Sequence, residues 1–354
     1  MIPEKMKSVV MTSPRAVELH EYAVPELTEN GVLIQIKSAA ICTIDQRPYA
    51  GVTKGFFPRV GGHEGAGVVI ATGKNVVNTK VGDHVTVGRI HCGVCENCIK
   101  GRGHCLNAPD FGGPGGEKPS IEKPQNLFGS FSQYIVRNEN EFFHIPETLN
   151  FSHAALAEPL SDVVHSIRRS RLALGETCVI IGAGIMGILH AQVARNIGAR
   201  VIVSEVDAAR RDRVAEFADY VVNPKETDPR EFVKSLTGGR GSDVVFFAIA
   251  VSSMFEQAYS MLAETGRIMV YSNQHPDDPF GLRLGQIHRS EFEIIGTSGS
   301  LDLDFVNAVE LMSFGKMNME KVIHGEYPIT KCKEAFDQSI VPGTYRVVIK
   351  MDEE

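Results

Sequence analysis

Glu176-Thr177-Cys178-Val179-Ile180-Ile181 runs directly into Gly182-Ala183-Gly184-Ile185-Met186-Gly187. An unbroken apolar run of this length reads as a strand buried on both faces. Beyond the glycines, Ile185, Leu189, Val193 and Ile197 recur at helical spacing. G-x-G-x-x-G alone is a weak signal, but between a strand and a helix it constrains the fold strongly. That order opens a parallel, doubly wound sheet. The glycines permit a tight turn and close approach of a pyrophosphate to the helix N-terminus. Gly182, Gly184, Ile185, Met186 and Gly187 are therefore the expected dinucleotide contacts.

The next expected strand, Arg200 to Ser204, ends at Glu205. An acid there accepts hydrogen bonds from both adenosine ribose hydroxyls and repels a 2′-phosphate, which favours NAD over NADP. Arg210 and Arg211 follow; one of them either stacks on adenine or pairs with a 2′-phosphate. The alternation continues with strands at Val221-Val222, Asp243 to Ala250, Arg267 to Ser272 and Phe292 to Thr297. Helical patterns lie near 208–217, 228–236 and 252–263. Alternating strand and helix places helices on both faces of the sheet. The expected nucleotide-binding domain is 161–299. Residues 1–160 and 300–354 form the other domain, with Thr344 to Met351 as its final strand.

That other domain reads as β-rich. Val9 to Val17, Val32 to Ala39, Val68 to Ala71, Gly82 to Val87 and Gly129 to Val136 are short strand-like runs between turn residues. Residues 106–127 read as a long loop. Two clusters carry chemistry. GGHEGAGVV places His63 and Glu64 side by side among glycines, after Cys42 in ICTID. Thiolate, imidazole and carboxylate are all zinc ligands, and three protein ligands with an open position make a catalytic site. An isolated His-Glu pair is more often a surface turn; its company raises the metal reading. HCGVCENCIKGRGHC supplies Cys92, Cys95, Cys98 and Cys105, a set that fits closed, structural zinc. His91 and His104 flank it as lesser candidates. Two zinc ions per chain are thus expected.

Together these segments resemble the zinc-containing medium-chain dehydrogenase/reductase superfamily over essentially the whole chain. The carriers are ICTID, GGHEGAGVV, KVGDHVTV, the four-cysteine lobe, GSFSQYIV, AEPLSDVVHS and GAGIMG. Within it, Glu64 beside His63, with Glu158 in AEPL, is most similar to sorbitol (L-iditol) and galactitol-1-phosphate dehydrogenases. The resemblance implies an α/β protein with a GroES-like β-rich catalytic domain and a Rossmann domain. It implies Cys42, His63 and Glu64 on catalytic zinc, with Glu158 as a fourth or exchanging ligand. Two departures stand out. Ile44 replaces the hydroxyl that passes the substrate proton outward, leaving water, Glu158 or Thr43 as the route. The spacing before Cys105 is one residue short.

The implied reaction moves a hydride between a secondary alcohol, polarised by zinc, and NAD. A polyol or its keto form leads as substrate, then a phosphorylated polyol, then an amino alcohol such as threonine. Arg47, Tyr49, Lys54 and Arg59 are candidate substrate contacts, although surface charge explains most of them. Net charge of −7 argues against a nucleic-acid partner for the zinc lobe. A zinc-free reductase would lack the Cys42, His63 and Glu64 set. No apolar run reaches membrane-spanning length and no secretory h-region opens the chain, so a cytoplasmic enzyme is expected. A strand at Phe292 to Thr297 would lie at a sheet edge and pair copies into a homodimer or homotetramer.

Overall fold

The computed structural model describes residues 2–103, 105–107, 120–124, 129–251, 254–272 and 281–352. The chain divides into two compact units. One comprises Met1–Pro159, Leu301–Gly315 and Met319–Glu354; the other comprises Leu160–Ser300 and Lys316–Asn318.

The first unit is built from strands β1 (Lys5–Ser13), β2 (Ala16–Ala23), β3 (Gly31–Ala40), β4 (Arg59–Val60), β5 (Glu64–Thr72), β6 (His84–Val87), β7 (Tyr134–Asn138) and β8 (Phe142–His144). Val9 to Val17 is not one strand but a hairpin: β1 gives way to β2 through Arg15, at φ 65°. Gly129 to Gln133 also lies outside the ladder of β7. Its backbone instead braces the segment before His63, with Ser130 N donating to Gly62 O at 2.9 Å and Phe131 N to Gly61 O at 3.2 Å. Gly62 has φ 88°, and a Cβ there would meet Phe131 N at 2.8 Å. Only glycine allows both the turn and the close approach. Of the expected loop 106–127, residues 108–119 and 125–127 lie outside the described residues. Near its end the Ile121 carbonyl accepts from the Tyr22 hydroxyl at 2.8 Å.

The second unit is one parallel sheet of β9 (Thr177–Ile181), β10 (Arg200–Ser204), β11 (Tyr220–Val222), β12 (Ser242–Phe247), β13 (Leu262–Val270) and β14 (Glu293–Gly296). Its order is β11-β10-β9-β12-β13-β14. Numbered within the unit this is 3-2-1-4-5-6, the doubly wound order that binds dinucleotides at the strands' carboxyl ends. All five residues of β9 are buried, as befits the central strand. The helix expected over 252–263 is shorter, Phe255–Ser260. The apolar residues after it suit either period, and β12 recruits them: Ser242 pairs with Leu262 to begin β13.

The chain returns to the first unit with β15 (Ile323–Pro328) and β16 (Arg346–Lys350). There β16 lies between β15 and β3, in the order β15-β16-β3-β5-β6-β8, with β7 also paired to β3. Ile34, Val69, Val85, Phe131, Ile135, Phe336 and Ile349 share its core. Each such side chain stabilises the fold by roughly 1.5–3 kcal/mol. Among the described residues no helix is long and apolar enough to cross a membrane.

One buried base gives the second unit a pH limit. His190, on the helix Ile185–Ile197, is fully buried against Phe246 and Tyr271, with Nδ1 2.7 Å from Met186 O and Nε2 3.0 Å from Ser166 Oγ. Burial pulls it down to about 4 from its ordinary 6.5. The unfolded chain therefore binds the extra proton between these values, so this contribution is complete above pH 6.5 and lost as pH falls toward 4. The expected loss is about 3 kcal/mol. Denaturant melts from pH 7 to 4 should be steeper in pH for wild type than for His190→Gln; parallel profiles would contradict the assignment.

Candidate active site

Three strand ends meet in the first unit. Ala40, last in β3, pairs with Glu64, first in β5, and Val348 of β16 also pairs with Ala40. Cys42 lies two residues beyond Ala40, and Ile41 N donates to Val347 O at 2.9 Å. His63 immediately precedes Glu64. This register brings Cys42 Sγ, a His63 ring nitrogen and a Glu64 carboxylate oxygen within 4.8 Å of one another. Thr43 is exposed and opens the helix Thr43–Tyr49, for which Cys42 is the N-cap.

The charges around this trio are unbalanced. Burial lowers the proton affinity of His63, but Glu158, Asp45 and Glu64 outweigh it and hold its pKa above the ordinary value. Burial likewise pushes the Cys42 thiol far up, opposed by Arg346. Glu158 is near enough to act on His63 and Arg346, but its carboxylate is outside the convergent set of three. Three carboxylates and a thiol thus surround an imidazole, with Arg346 as the opposing cation. That donor set, of mixed S, N and O chemistry with surplus negative charge, fits a divalent zinc ion, whose binding displaces the thiol and imidazole protons.

Two contributors were missed in the sequence. Arg346, first in β16, donates from Nε to Glu64 Oε2 at 2.9 Å and from Nη2 to Oε1 at 2.5 Å; Nη2 also lies 3.5 Å from Cys42 Sγ. Both members of this pair are buried. Glu64 is therefore held by a fork of two charge-assisted bonds as well as facing Cys42 and His63. Asp45 is buried beside His63, and its Oδ1 is 3.4 Å from Gly62 N. The sole signals were an arginine opening a buried apolar strand and an acid within ICTID.

The second cluster is the lobe. The sulfurs of Cys92, Cys95, Cys98 and Cys105 also lie within 4.8 Å of one another. Backbone amides point at them: Cys92 N at Cys105, Cys95 N at Cys92 and Leu106 N at Cys95, at 3.3–3.4 Å. Amides of Cys98 and Leu106 hold Cys95 down to about 6, whereas burial drives Cys98 up to about 12. Four sulfurs in a cage of N–H donors fit closed, structural zinc. His91 turns elsewhere, with Nδ1 3.3 Å from Arg89 O and Nε2 3.3 Å from Asp302. His104 lies outside the described residues.

In the second unit the glycine turn closes as expected. Gly182 has φ 96°, and a Cβ on Gly187 would fall 2.0 Å from Gly182 O. Gly184 caps the helix that begins Ile185-Met186. Glu205 is turned into this turn: Oε2 accepts from Ala183 N at 2.7 Å and Oε1 from Asp207 N at 2.9 Å. Each oxygen keeps a second lone pair for a ribose hydroxyl. Arg210 Nη1 lies 4.0 Å from where a Gly184 Cβ would be. Arg211 is spent on the carbonyls of Glu205 and Val206.

Comparison with known proteins agrees with both halves. Residues 28–147 match the alcohol dehydrogenase GroES-like domain, and residues 186–313 match the zinc-binding dehydrogenase family. The chain is 31% identical to D-arabitol-phosphate dehydrogenase of Enterococcus avium, across 94% of each chain. The chain belongs to the zinc-dependent alcohol dehydrogenase family. It is also 33% identical to 2-dehydro-3-deoxy-L-galactonate 5-dehydrogenase of Pseudoalteromonas atlantica, across 90% of each. In fold it is similar to an alcohol dehydrogenase of Thermotoga maritima, with TM-score 0.87 and 24% identity over 98% of this chain and 99% of that one. The dehydrogenase thus pairs a GroES-like domain with a Rossmann domain and acts on a small-molecule alcohol.

The residues after Cys42 divide by exposure. Tyr49 is not a substrate contact: it is fully buried, packs on Phe336 and donates to Asp337 Oδ1 at 2.6 Å. It anchors the helix that follows Cys42. Ile44 is 62% exposed and carries no proton. Arg59 has its Nε buried without a hydrogen-bond partner.

Proposed function

We propose that this dehydrogenase oxidises a secondary alcohol of a polyol or sugar, with NAD as hydride acceptor. The convergence of Cys42, His63 and Glu64 carries the reading. These three would hold the catalytic zinc, with Glu158 as a fourth or exchanging ligand. Cys92, Cys95, Cys98 and Cys105 would hold the structural one. When bound, the catalytic ion supplies Lewis acidity toward the alcohol oxygen. The chain's own residues do the rest. Asp45 adds negative charge beside His63 and accepts from the Gly62 amide just before it. Arg346 restrains Glu64, keeping its carboxylate from balancing the ion's charge in full. The exposed Thr43 hydroxyl, with Glu158, takes over the proton route that Ile44 cannot serve. Oxidation of R2CHOH to the ketone would release a hydride, for which a bound nicotinamide would be the acceptor, and a proton, which Thr43 and Glu158 would pass outward.

The glycine turn would cradle the pyrophosphate through Gly182, Gly184, Ile185, Met186 and Gly187. Glu205 would take the adenosine ribose hydroxyls and disfavour a 2′-phosphate, with Arg210 beside them. The exposed edge at β14, where Ile294 faces outward, supports pairing with a second copy. Free, clustered thiols support a reducing, cytoplasmic setting.

An anionic polyol is the second reading, a phosphate monoester or a sugar acid taken by Arg59. Its unpartnered Nε, four positions before His63, favours it, as do relatives named for a phosphate and for a sugar acid. The test is turnover of sorbitol, galactitol 1-phosphate and threonine with NAD and with NADP. The leading reading expects sorbitol and NAD to give the highest kcat/KM. Preference for the phosphate, lost in Arg59→Met, would select the second; turnover of none would remove both.

A further inference from the structure

We propose that Asp162 biases this dehydrogenase toward the oxidised, cationic form of its nicotinamide cofactor. The inference rests on the cofactor reading above and names a residue that reading does not use. A cavity of about 460 Å³ lies within the second unit, beyond the carboxyl ends of β13 and β14. That volume is ordinary for a small-ligand site. Residues following the two strands, Tyr271, Ser272, Thr297 and Ser298, line it, and Asp162 reaches it from the helix Ala157–Ser170.

The topology says which half of a dinucleotide belongs here. In a sheet of this order the two nucleotides lie over opposite halves of the strand ends. The glycine turn and Glu205 occupy the β9–β10 half. The nicotinamide nucleotide is left the half that ends in β12, β13 and β14. The cavity is built rather than incidental. Ser161 Oγ and Ser300 Oγ, both buried, are 2.9 Å apart and tie the helix to the chain just after Gly299. Thr297 N continues the ladder to Val270 O at 3.2 Å. Thr297 Oγ1 is buried without a hydrogen-bond partner, a ready contact for a carboxamide. Among the described residues lining the cavity, Asp162 is the one with a carboxyl group.

The oxidised nicotinamide ring carries a positive charge and the reduced ring does not. The pyrophosphate, both riboses and the adenine are common to the two forms, so their contacts cancel from the ratio of affinities. A carboxylate in the ring's cavity attracts the cation and has no charge to act on in the neutral ring. In a partly solvated cavity that difference is about tenfold in the dissociation-constant ratio. Its functional sense is alcohol oxidation: NAD+ is captured in preference to NADH, and the reduced product leaves more readily.

The test is calorimetric titration of the purified holoenzyme, with its zinc, against NAD+ and NADH separately. Asp162→Asn removes the charge at nearly constant shape; Asp162→Ser is a second charge-removing variant should the first fold poorly. Thr297→Val alters the same cavity without changing its charge. The expected result is a roughly tenfold weaker NAD+ affinity in either Asp162 variant, with NADH affinity unchanged, and a constant ratio in Thr297→Val. Equal weakening of both forms, or no change in the ratio, would overturn the role of Asp162 alone. A wild-type enzyme that binds neither form would overturn the cofactor reading and this inference with it.

Discussion

In His63→Ala, kcat/KM for alcohol oxidation should fall by about three orders of magnitude, and metal content should fall from an expected two ions per chain to one. The size follows from the several kcal/mol of charge stabilisation that a bound metal contributes to such a reaction. The metal count follows from the separation of the two donor sets, one from Cys42, His63 and Glu64 and the other from four cysteines. The second set does not use His63, so its ion should remain. Elemental analysis beside steady-state kinetics makes the test. The variant also removes an imidazole held among three carboxylates, so its melting temperature should be measured with and without added zinc. Retention of both ions with full turnover would refute the assignment of the trio.

The second large effect concerns stability. Arg346→Met should destabilise the first unit by roughly 3–5 kcal/mol, because Glu64 would be left buried without its cation. For a unit of this size that is a drop of about 10 °C in melting temperature. The double variant Arg346→Met with Glu64→Gln should recover much of the loss, since it removes both charges. Zinc should protect the single variant more than wild type, since a bound cation would take over the role of Arg346 toward Glu64. An Arg346→Met protein that melts with wild type after chelation would show that the fork contributes nothing.

Several features were legible because they are local. The strand, glycine turn and helix from Thr177 to Ile197 lie within one stretch, and their periodicities are intrinsic to the chain. The four cysteines lie within fourteen positions, so their convergence needs only a short lobe. Boundaries were less legible where apolar residues suit two periods. Leu262 and Ala263 joined β13 rather than the preceding helix because β12 supplied a parallel partner. Gly129 to Gln133 reads as strand in the sequence, but the amides of Ser130 and Phe131 are taken by the glycines before His63.

By itself the amino-acid order determined the kinds of chemistry available: a thiolate, an imidazole and carboxylates of the right types, a turn that only glycine can make, and an acid after the second parallel strand. The tertiary structure alone decided which groups share a space. Arg346 and Glu64 are 282 positions apart and meet because β16 and β5 both flank β3. Tyr49, near Cys42 in sequence, was drawn into the core by Phe336 and Asp337. Sheet register sets such contacts, and register is a property of strands packed together rather than of any one of them.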